Sequence, residues 1–209
     1  MTALMLLGPG TPMLFQGQEF AASSPFFYFA DHHAGLAPLI RRGRAEFLSQ
    51  FPSLSRPEMQ SRLADPGDRR TFERSKLDFS ERQQHAETYA LHHDLLKLRR
   101  QDPVLGSQRP GGMDGGVLGP YAFVLRFFAE DGHDRLLVVN LGRDLHLEPA
   151  PEPLLAPPED MRWQTLWSSE DPRSGGSGAS LLDFAASWRI PGEAAVVLIP
   201  TPPEETLHA

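Results

Sequence analysis

The sequence predicts two kinds of structure in one chain, an α/β part followed by an all-β part. Three observations support this prediction. An uninterrupted apolar run, Met13 to Phe15, follows a helix-compatible stretch and a turn. The longest helical pattern covers Ser80 to Gln101, and beyond Tyr121 the apolar residues follow the two-residue period of strands. Because those strands are short and separated by turn residues, we expect the all-β part to form a small antiparallel β-sandwich or barrel.

The first twenty residues are predicted to hold a helix, a turn and a strand. Ala3 to Leu7 is apolar, and the segment Gly8 to Pro12 contains two glycines and two prolines, which favour a turn. A wholly apolar strand after a helix is typical of a parallel sheet covered on both faces. Such a strand needs neighbouring strands. A polar tip follows it and carries Gln16, Gln18 and Glu19.

The middle of the chain is predicted to be loops and helices. A short helix is expected at Arg41 to Gln50, and Asp65-Pro66-Gly67-Asp68 predicts a turn. In the long helix, Ser80 and Gln83 have the spacing of a capping box, and Asp102-Pro103 ends the pattern.

The third part of the chain is predicted to be β-rich. A glycine-rich segment, residues 109–120, is interpreted as a joint between residues 1–108 and the β domain at 121–200, with a frayed tail at 201–209. Asp131-Gly132 predicts a hairpin turn. Strands are expected at Tyr121–Phe128, Arg135–Leu141, Leu145–Glu148, Arg162–Ser168, Ser187–Ile190 and Ala194–Ile199.

Composition restricts the classes of function. The formal net charge of −7 argues against a nucleic-acid or anionic-membrane partner, because no basic surplus is available to neutralise phosphates. The absence of Cys excludes disulfides, thiolate metal sites and Cys nucleophiles. The apolar start is interrupted at Gly8 and is too short for a signal core or a membrane span, so we expect a cytoplasmic protein.

Several long segments of the sequence resemble a known family. They include "LMLLGPGTPMLFQGQEF", "PFFYFADHH", "TFERSKLDFSERQQHAETYALHHDLLKLRRQDPV" and "WRIPGEAAVVLIP". Together they are similar to the C-terminal third of the malto-oligosyltrehalose trehalohydrolases, which are α-amylase-type glycoside hydrolases. The resemblance covers residues 3 to about 200 and implies the C-terminal fragment of a (β/α)8 barrel followed by an all-β domain. Met13 to Phe15 would be the eighth barrel strand, and Ser80 to Gln101 the last barrel helix.

The resemblance also implies an activity for the complete enzyme. Such an enzyme releases trehalose from maltooligosyl trehalose by hydrolysing an α-1,4-glucosidic bond, as a step of trehalose biosynthesis, and needs no cofactor. Its catalytic carboxylates follow barrel strands four, five and seven, which would precede Met1. We therefore expect no catalytic residue in this chain and no activity of the chain alone. The partner would be maltooligosyl trehalose or a related α-glucan, bound through the complete enzyme. The alternative is a free-standing, non-catalytic module that binds carbohydrate or another subunit.

Barrel enzymes carry their chemistry on loops at the C-terminal ends of the strands, so the resemblance implies substrate contacts from two segments of this chain. Each has an alternative: the polar residues could satisfy loop amides, and the Phe residues could pack in the core. The candidate substrate-binding residues are Gln18, Glu19, Phe29, Asp31 and His32.

Two His-containing segments and the Trp residues allow other interpretations. Asp31-His32-His33 also occurs in metal-dependent phosphoesterases, but the further ligands those enzymes need do not precede it. His92 and His93 are adjacent and would point about 100° apart on a helix, so no metal site is expected. The β part contains three Trp residues that could form a carbohydrate-binding face or belong to the core: Trp163, Trp167 and Trp188.

Overall fold

A computed structural model describes residues 1–107, 109–150, 152–179 and 187–203. The described helices are α1 (Thr2–Leu7), α2 (Ala37–Leu48), α3 (Pro57–Gln60), α4 (Arg69–Arg74), α5 (Glu81–Gln84), α6 (Ala86–Gln101) and α7 (Pro103–Ser107). The described strands are β1 (Met113–Gly119), β2 (Ala122–Phe127), β3 (Arg135–Asn140), β4 (Leu145–Leu147), β5 (Arg162–Ser168), β6 (Trp188–Ile190) and β7 (Ala195–Thr201). The chain divides into two compact units. Unit 1 is Met1–Phe20 with His85–Ala209, and unit 2 is Ala21–Gln84.

Unit 1 contains the predicted antiparallel β-sandwich. Five strands pair in the order β1-β2-β3-β7-β5, and β4 pairs with β6 in a second, two-stranded sheet. The hairpin predicted at Asp131-Gly132 is confirmed, since β2 and β3 pair antiparallel with Phe123 opposite Val139. Gly132 has a φ of 76°, a conformation that glycine adopts without strain.

The five-stranded sheet is apolar on both faces. Along β3, Leu136 and Val138 belong to one buried cluster, and Leu137 and Val139 belong to another, as the alternation of side chains along a strand requires. The first cluster lies against the two-stranded sheet and includes Trp163 and Trp188. These two Trp residues are therefore core, whereas Trp167 is partly buried and packs against the second cluster.

Helices cover the second face of the sheet. Buried residues of α1, α6 and α7 join the second cluster, namely Leu6, Leu7, Leu95 and Leu105. Arg99 of α6 stabilises the C-terminal end of α1. Its guanidinium donates hydrogen bonds to the carbonyl oxygens of Leu6 at 2.7 Å and Gly8 at 2.9 Å. Three helices of the predicted α/β part, α1, α6 and α7, thus share a hydrophobic cluster with the β domain in unit 1.

The predicted helix at Ser80 to Gln101 is two helices. The chain leaves helical geometry at His85, which has φ −110° and ψ 41° and precedes the first residue of α6. His85 Nδ1 lies 2.8 Å from the carbonyl oxygen of Phe20. The expected capping box is also absent: the amide of Gln83 donates to the Ser80 carbonyl oxygen at 3.0 Å, and the Ser80 hydroxyl is directed to Asp78 Oδ1 at 2.6 Å.

The strand predicted at Met13 to Phe15 does not form, and Thr11 to Phe15 is irregular chain. Met13 is 85% exposed and Phe15 56% exposed. A strand requires a neighbour to satisfy its amides and carbonyls, and among the described residues no strand pairs with this segment. The apolar run alone was therefore insufficient to make a strand.

The glycine-rich joint expected at residues 109–120 contains β1. Met113 pairs with Phe127 and Gly115 with Leu125, so β1 is an edge strand of the main sheet. A Cβ on Gly116 would lie 2.5 Å from the Glu152 side chain, so glycine permits this close approach. The expected tail from residue 201 begins one residue too early, since β7 includes Thr201, and residues 204–209 lie outside the described part of the chain.

Unit 2 consists of short helices and loops. The helix predicted from Arg41 begins earlier, at Ala37, because Pro38 lies in its first turn, where proline fits a helix start. Asp68 caps α4 by accepting the amide of Arg70 at 2.8 Å. The turn predicted at Asp65 to Asp68 is present and is followed directly by α4.

Candidate functional site

A groove in unit 2 brings together two of the predicted substrate-binding residues. Its volume is about 590 Å³, which lies in the range of small-molecule sites. Phe29 and Asp31 come from the segment before α2, and the other wall comes from the turn before α4 and from α4 itself. The lining includes Phe29, Asp31, Pro66, Asp68, Arg69 and Phe72.

Two aromatic rings form the apolar surface of the groove. The centroids of Phe29 and Phe72 lie 5.1 Å apart in an edge-to-face arrangement. Phe29 is 37% exposed and Phe72 42% exposed, so neither ring is committed to the core. The C–H faces of a pyranose ring pack well on such rings, which can therefore hold a sugar.

Carboxylates supply the polar surface of the groove. The Asp31 side chain is exposed, and Asp68 Oδ1 accepts the amide of Arg70 at 2.8 Å as the cap of α4. Carboxylate oxygens accept hydrogen bonds from hydroxyl groups, and a sugar presents several. Arg69 is directed to Glu73 at 3.4 Å and does not neutralise either carboxylate. The hydrogen bond from Lys76 keeps the pKa of the neighbouring Glu73 below its ordinary value.

Backbone and hydroxyl contacts hold the aromatic segment in place. The amide of Ala30 donates to the carbonyl oxygen of Pro66 at 2.9 Å. Ser75 is buried, and its hydroxyl accepts the amide of Phe27 at 3.1 Å and lies 2.8 Å from the Thr71 carbonyl oxygen. These bonds fix both walls of the groove, which reduces the entropy that a ligand has to restrict on binding.

Gln18 and Glu19 lie in unit 1, in a short 3-10 turn that spans Gln18–Phe20. Gln18 Oε1 accepts a hydrogen bond from the amide of Phe15 at 3.2 Å. This is the alternative role predicted for the polar residues, in which the side chain satisfies a loop amide. Phe20 is fully buried and anchors the turn against α6. Glu19 is half-buried, so part of its side chain remains accessible.

His32 is exposed and does not line the groove, although it follows Asp31 directly. No sequence pattern marked Phe72, Asp68 and Arg69 as lining residues of the groove. The turn signal at Asp65 to Asp68 was visible, but only the fold places that turn beside Phe29.

The groove combines an aromatic surface with carboxylate acceptors, an arrangement suited to a ligand with an apolar face and hydroxyl donors. Among the described residues, no three His, Asp or Glu side chains are grouped so as to hold a metal ion. Within the same part of the chain, no helix has the length and apolar character needed to cross a membrane.

The predicted substrate-binding residues divide between the units, with Phe29, Asp31 and His32 in unit 2 and Gln18 and Glu19 in unit 1.

The fold is similar to that of solved α-amylase-type structures. A crystal structure assigned as an α-amylase from Salmonella typhimurium matches with a TM-score of 0.66 and 24% identity, over 95% of this chain and 30% of that one. The trehalulose synthase MutB from Pseudomonas mesoacidophila MX-45 matches with a TM-score of 0.52 and 15% identity, over 96% of this chain and 37% of that one. At these identities the similarity defines the fold, and it confirms the predicted fold class.

The sequence is similar to curated proteins that share one enzyme name. Over 144 residues, 68% of this chain, the sequence is 41% identical to malto-oligosyltrehalose trehalohydrolase from Deinococcus radiodurans. Over 127 residues, 58% of the chain, it is 44% identical to malto-oligosyltrehalose trehalohydrolase from Arthrobacter ramosus. Residues 110–197 match a family described as a domain of unknown function, DUF3459. The resemblance to the malto-oligosyltrehalose trehalohydrolases is confirmed.

The chain spans only part of these relatives. The matched region is 23% of the Deinococcus radiodurans protein and 20% of the Arthrobacter ramosus protein. The relatives' activity is therefore not a property that can be transferred directly to this chain.

Proposed function

We propose that this chain serves a glycoside hydrolase that releases trehalose from maltooligosyl trehalose by cleaving an α-1,4-glucosidic bond. In this proposal the chain supplies substrate contacts and the β-sandwich, and the catalytic carboxylates come from residues outside this sequence. The chain alone does not turn over substrate, and it acts in the cytoplasm without a cofactor. The observation that carries the proposal is the 41% identity over 144 residues to a malto-oligosyltrehalose trehalohydrolase.

The groove in unit 2 supports a contact with an α-glucan. A glucosyl residue has apolar ring faces and hydroxyl edges, and the groove offers the rings of Phe29 and Phe72 beside the carboxylates of Asp31 and Asp68. We propose that Phe29 and Asp31 bind a glucosyl unit, with Phe72 as a second ring. His32, Gln18 and Glu19 are proposed as further contacts to the substrate.

The test combines an activity assay with a binding assay on the complete chain. With maltotriosyl trehalose, we expect no released trehalose and chemical-shift changes in two-dimensional NMR at Phe29, Asp31 and Phe72. Phe72→Ala should weaken this binding at least fivefold. Phe79→Ala, which removes an exposed ring of unit 2 that does not line the groove, should change it less than twofold. Trehalose release by the chain, or binding that leaves the groove signals unchanged, would contradict the proposal.

A free-standing module that binds carbohydrate or another subunit is the second candidate. One observation favours it: the main sheet of unit 1 has a hydrophobic cluster on each face, so the β-sandwich has a substantial core within this chain. This candidate predicts that maltodextrin or a partner subunit perturbs signals of β-strand residues and leaves those of Phe29 and Asp31 unchanged. The same NMR titration therefore separates the two candidates.

A further inference from the structure

Unit 2 contains a second cavity, whose lining shares only Pro66 with that of the groove of Phe29 and Phe72. It has a volume of about 360 Å³ and lies among α2, α3 and the segment Phe26 to Tyr28. Apolar and aromatic side chains form most of its wall, and three arginines also line it. The lining includes Phe26, Tyr28, Met59, Arg41, Arg44 and Arg62.

The arginines of this cavity carry more positive charge than the neighbouring carboxylates neutralise. Arg41 pairs with Asp65 at 3.1 Å. Arg44 and Arg62 make no ion pair with any carboxylate of the described residues. The cavity therefore has two guanidinium groups without a counter-ion.

Arg44 is held in place despite lacking an ion pair. Its guanidinium carbon lies 5.2 Å from the ring centroid of Tyr28 and 5.3 Å from that of Phe47. The side chain is half-buried, so water compensates its charge less well than it would on an open surface. Stacking on two rings leaves the N–H edges of the guanidinium available as donors to a ligand in the cavity.

The surrounding unit reinforces the positive character. The sequence from Ala21 to Gln84 contains ten Lys and Arg against eight Asp and Glu, whereas the whole chain has a formal charge of −7. An anion is therefore attracted to this unit and repelled by the rest of the chain.

We propose that this cavity binds a phosphate monoester attached to a small organic group of about the size of one sugar. A phosphate monoester carries close to two negative charges at neutral pH, which matches the two unpaired guanidinium groups, and arginine binds phosphate oxygens through paired N–H donors. The volume and the rings of Phe26 and Tyr28 accommodate the organic group, which inorganic phosphate lacks. The site goes beyond the proposed glucan contact and does not depend on it.

The experiment measures binding to the complete chain by isothermal titration calorimetry with three probes: glucose 6-phosphate, inorganic phosphate and glucose. We expect glucose 6-phosphate to bind at least tenfold more tightly than either of the other probes. Arg44→Gln and Arg62→Gln should each weaken this binding at least fivefold. Arg70→Gln removes the same charge from the same unit but lies outside the cavity, so it should change the affinity less than twofold.

Arg62 is exposed, so Arg62→Gln keeps the test informative if Arg44→Gln unfolds the unit. The proposal is overturned if glucose 6-phosphate does not bind, if inorganic phosphate or glucose binds as tightly, or if Arg70→Gln weakens binding as much as Arg62→Gln does. Phe72→Ala in the other groove should leave glucose 6-phosphate binding unchanged. Failure of the glucan proposal is therefore distinguishable from failure of this one.

Discussion

Arg135 Nε lies 2.8 Å from Asp102 Oδ2, and both side chains are largely buried. The other oxygen of the same carboxylate accepts the amides of Val104 at 2.9 Å and Leu105 at 3.0 Å. One carboxylate therefore connects β3 to the first turn of α7 and satisfies two amides that a helix start leaves without intrahelical partners.

We expect Asp102→Ala to destabilise unit 1 by about 3–5 kcal/mol, because it leaves the Arg135 guanidinium buried without its partner. Urea unfolding followed by Trp fluorescence measures this loss. Arg189→Ala breaks an exposed pair with Asp144 in the same unit and is the matched control, with an expected cost of no more than about 1 kcal/mol. Equal effects of the two substitutions would show that the Asp102 pair contributes no more than a surface contact.

Leu95 of α6 is fully buried in the cluster that also contains Leu137 and Val197 of the sheet. Leu95→Ala is expected to cost about 2–5 kcal/mol through lost burial and the cavity that remains. Because the helix and the sheet share this core, native-state hydrogen exchange should accelerate by a similar factor in α6 and in β3. Acceleration confined to α6 would mean that the helix unfolds independently of the sheet.

The Asp171 carboxylate is expected to govern a local response to acid. Hydrogen bonds from the side chain and backbone of Arg173 hold the pKa of Asp171 below its ordinary value. The ionised form is thus favoured in the folded state, and its contribution to stability is present at neutral pH and lost as the pH falls through the folded pKa. Arg173→Gln should raise the pKa of Asp171 only part of the way to its ordinary value, because the backbone amide of residue 173 still donates to the carboxylate. A carboxyl ¹³C NMR titration measures this, and an unchanged pKa would contradict the assignment.

Replacing glycine by alanine at two positions, Gly43 and Gly176, should change the stability of the fold in opposite directions. Gly43 lies within α2, and a Cβ there would meet nothing within 4 Å. Gly43→Ala is therefore expected to stabilise unit 2 by about 0.5–1 kcal/mol, since alanine favours a helix. A Cβ on Gly176 would lie 2.2 Å from the Glu170 carbonyl carbon, so Gly176→Ala should cost about 1–3 kcal/mol in unit 1. Thermal unfolding of both variants checks the two signs.

The sequence predicted the parts of the fold whose signal is local. Strands β2 and β3 follow from runs of apolar and β-branched residues, β5 follows from the alternation of Trp163, Thr165 and Trp167, and the hairpin follows from Asp131-Gly132. Strand β1 was missed because Gly115, Gly116 and Asp114 have low strand propensity, and its formation depends on pairing with β2. The break at His85 was missed for a similar reason, since its bond to Phe20 joins residues far apart in sequence.

The candidate site shows the same limit. Phe29 and Asp31 could be named from the sequence through the resemblance to a family, and both line the groove. Phe72 could not be named from the sequence, because it lies on α4 and its approach to Phe29 depends on how unit 2 folds. Propensity and pattern carry no information about which of several exposed rings meet.

The double-sided apolar character of β3 has a consequence for how its alignment is chosen. Shifting the strand by one residue would exchange its two hydrophobic sets without placing either in water, so apolar burial discriminates weakly between the alternatives. The polar residues at its ends decide instead. Asn140 is buried and donates to the carbonyl oxygens of Arg143 and Pro191. In a shifted alignment the Asn140 side-chain amide would be buried without hydrogen-bond acceptors. The free-energy cost of that unsatisfied amide selects a single alignment.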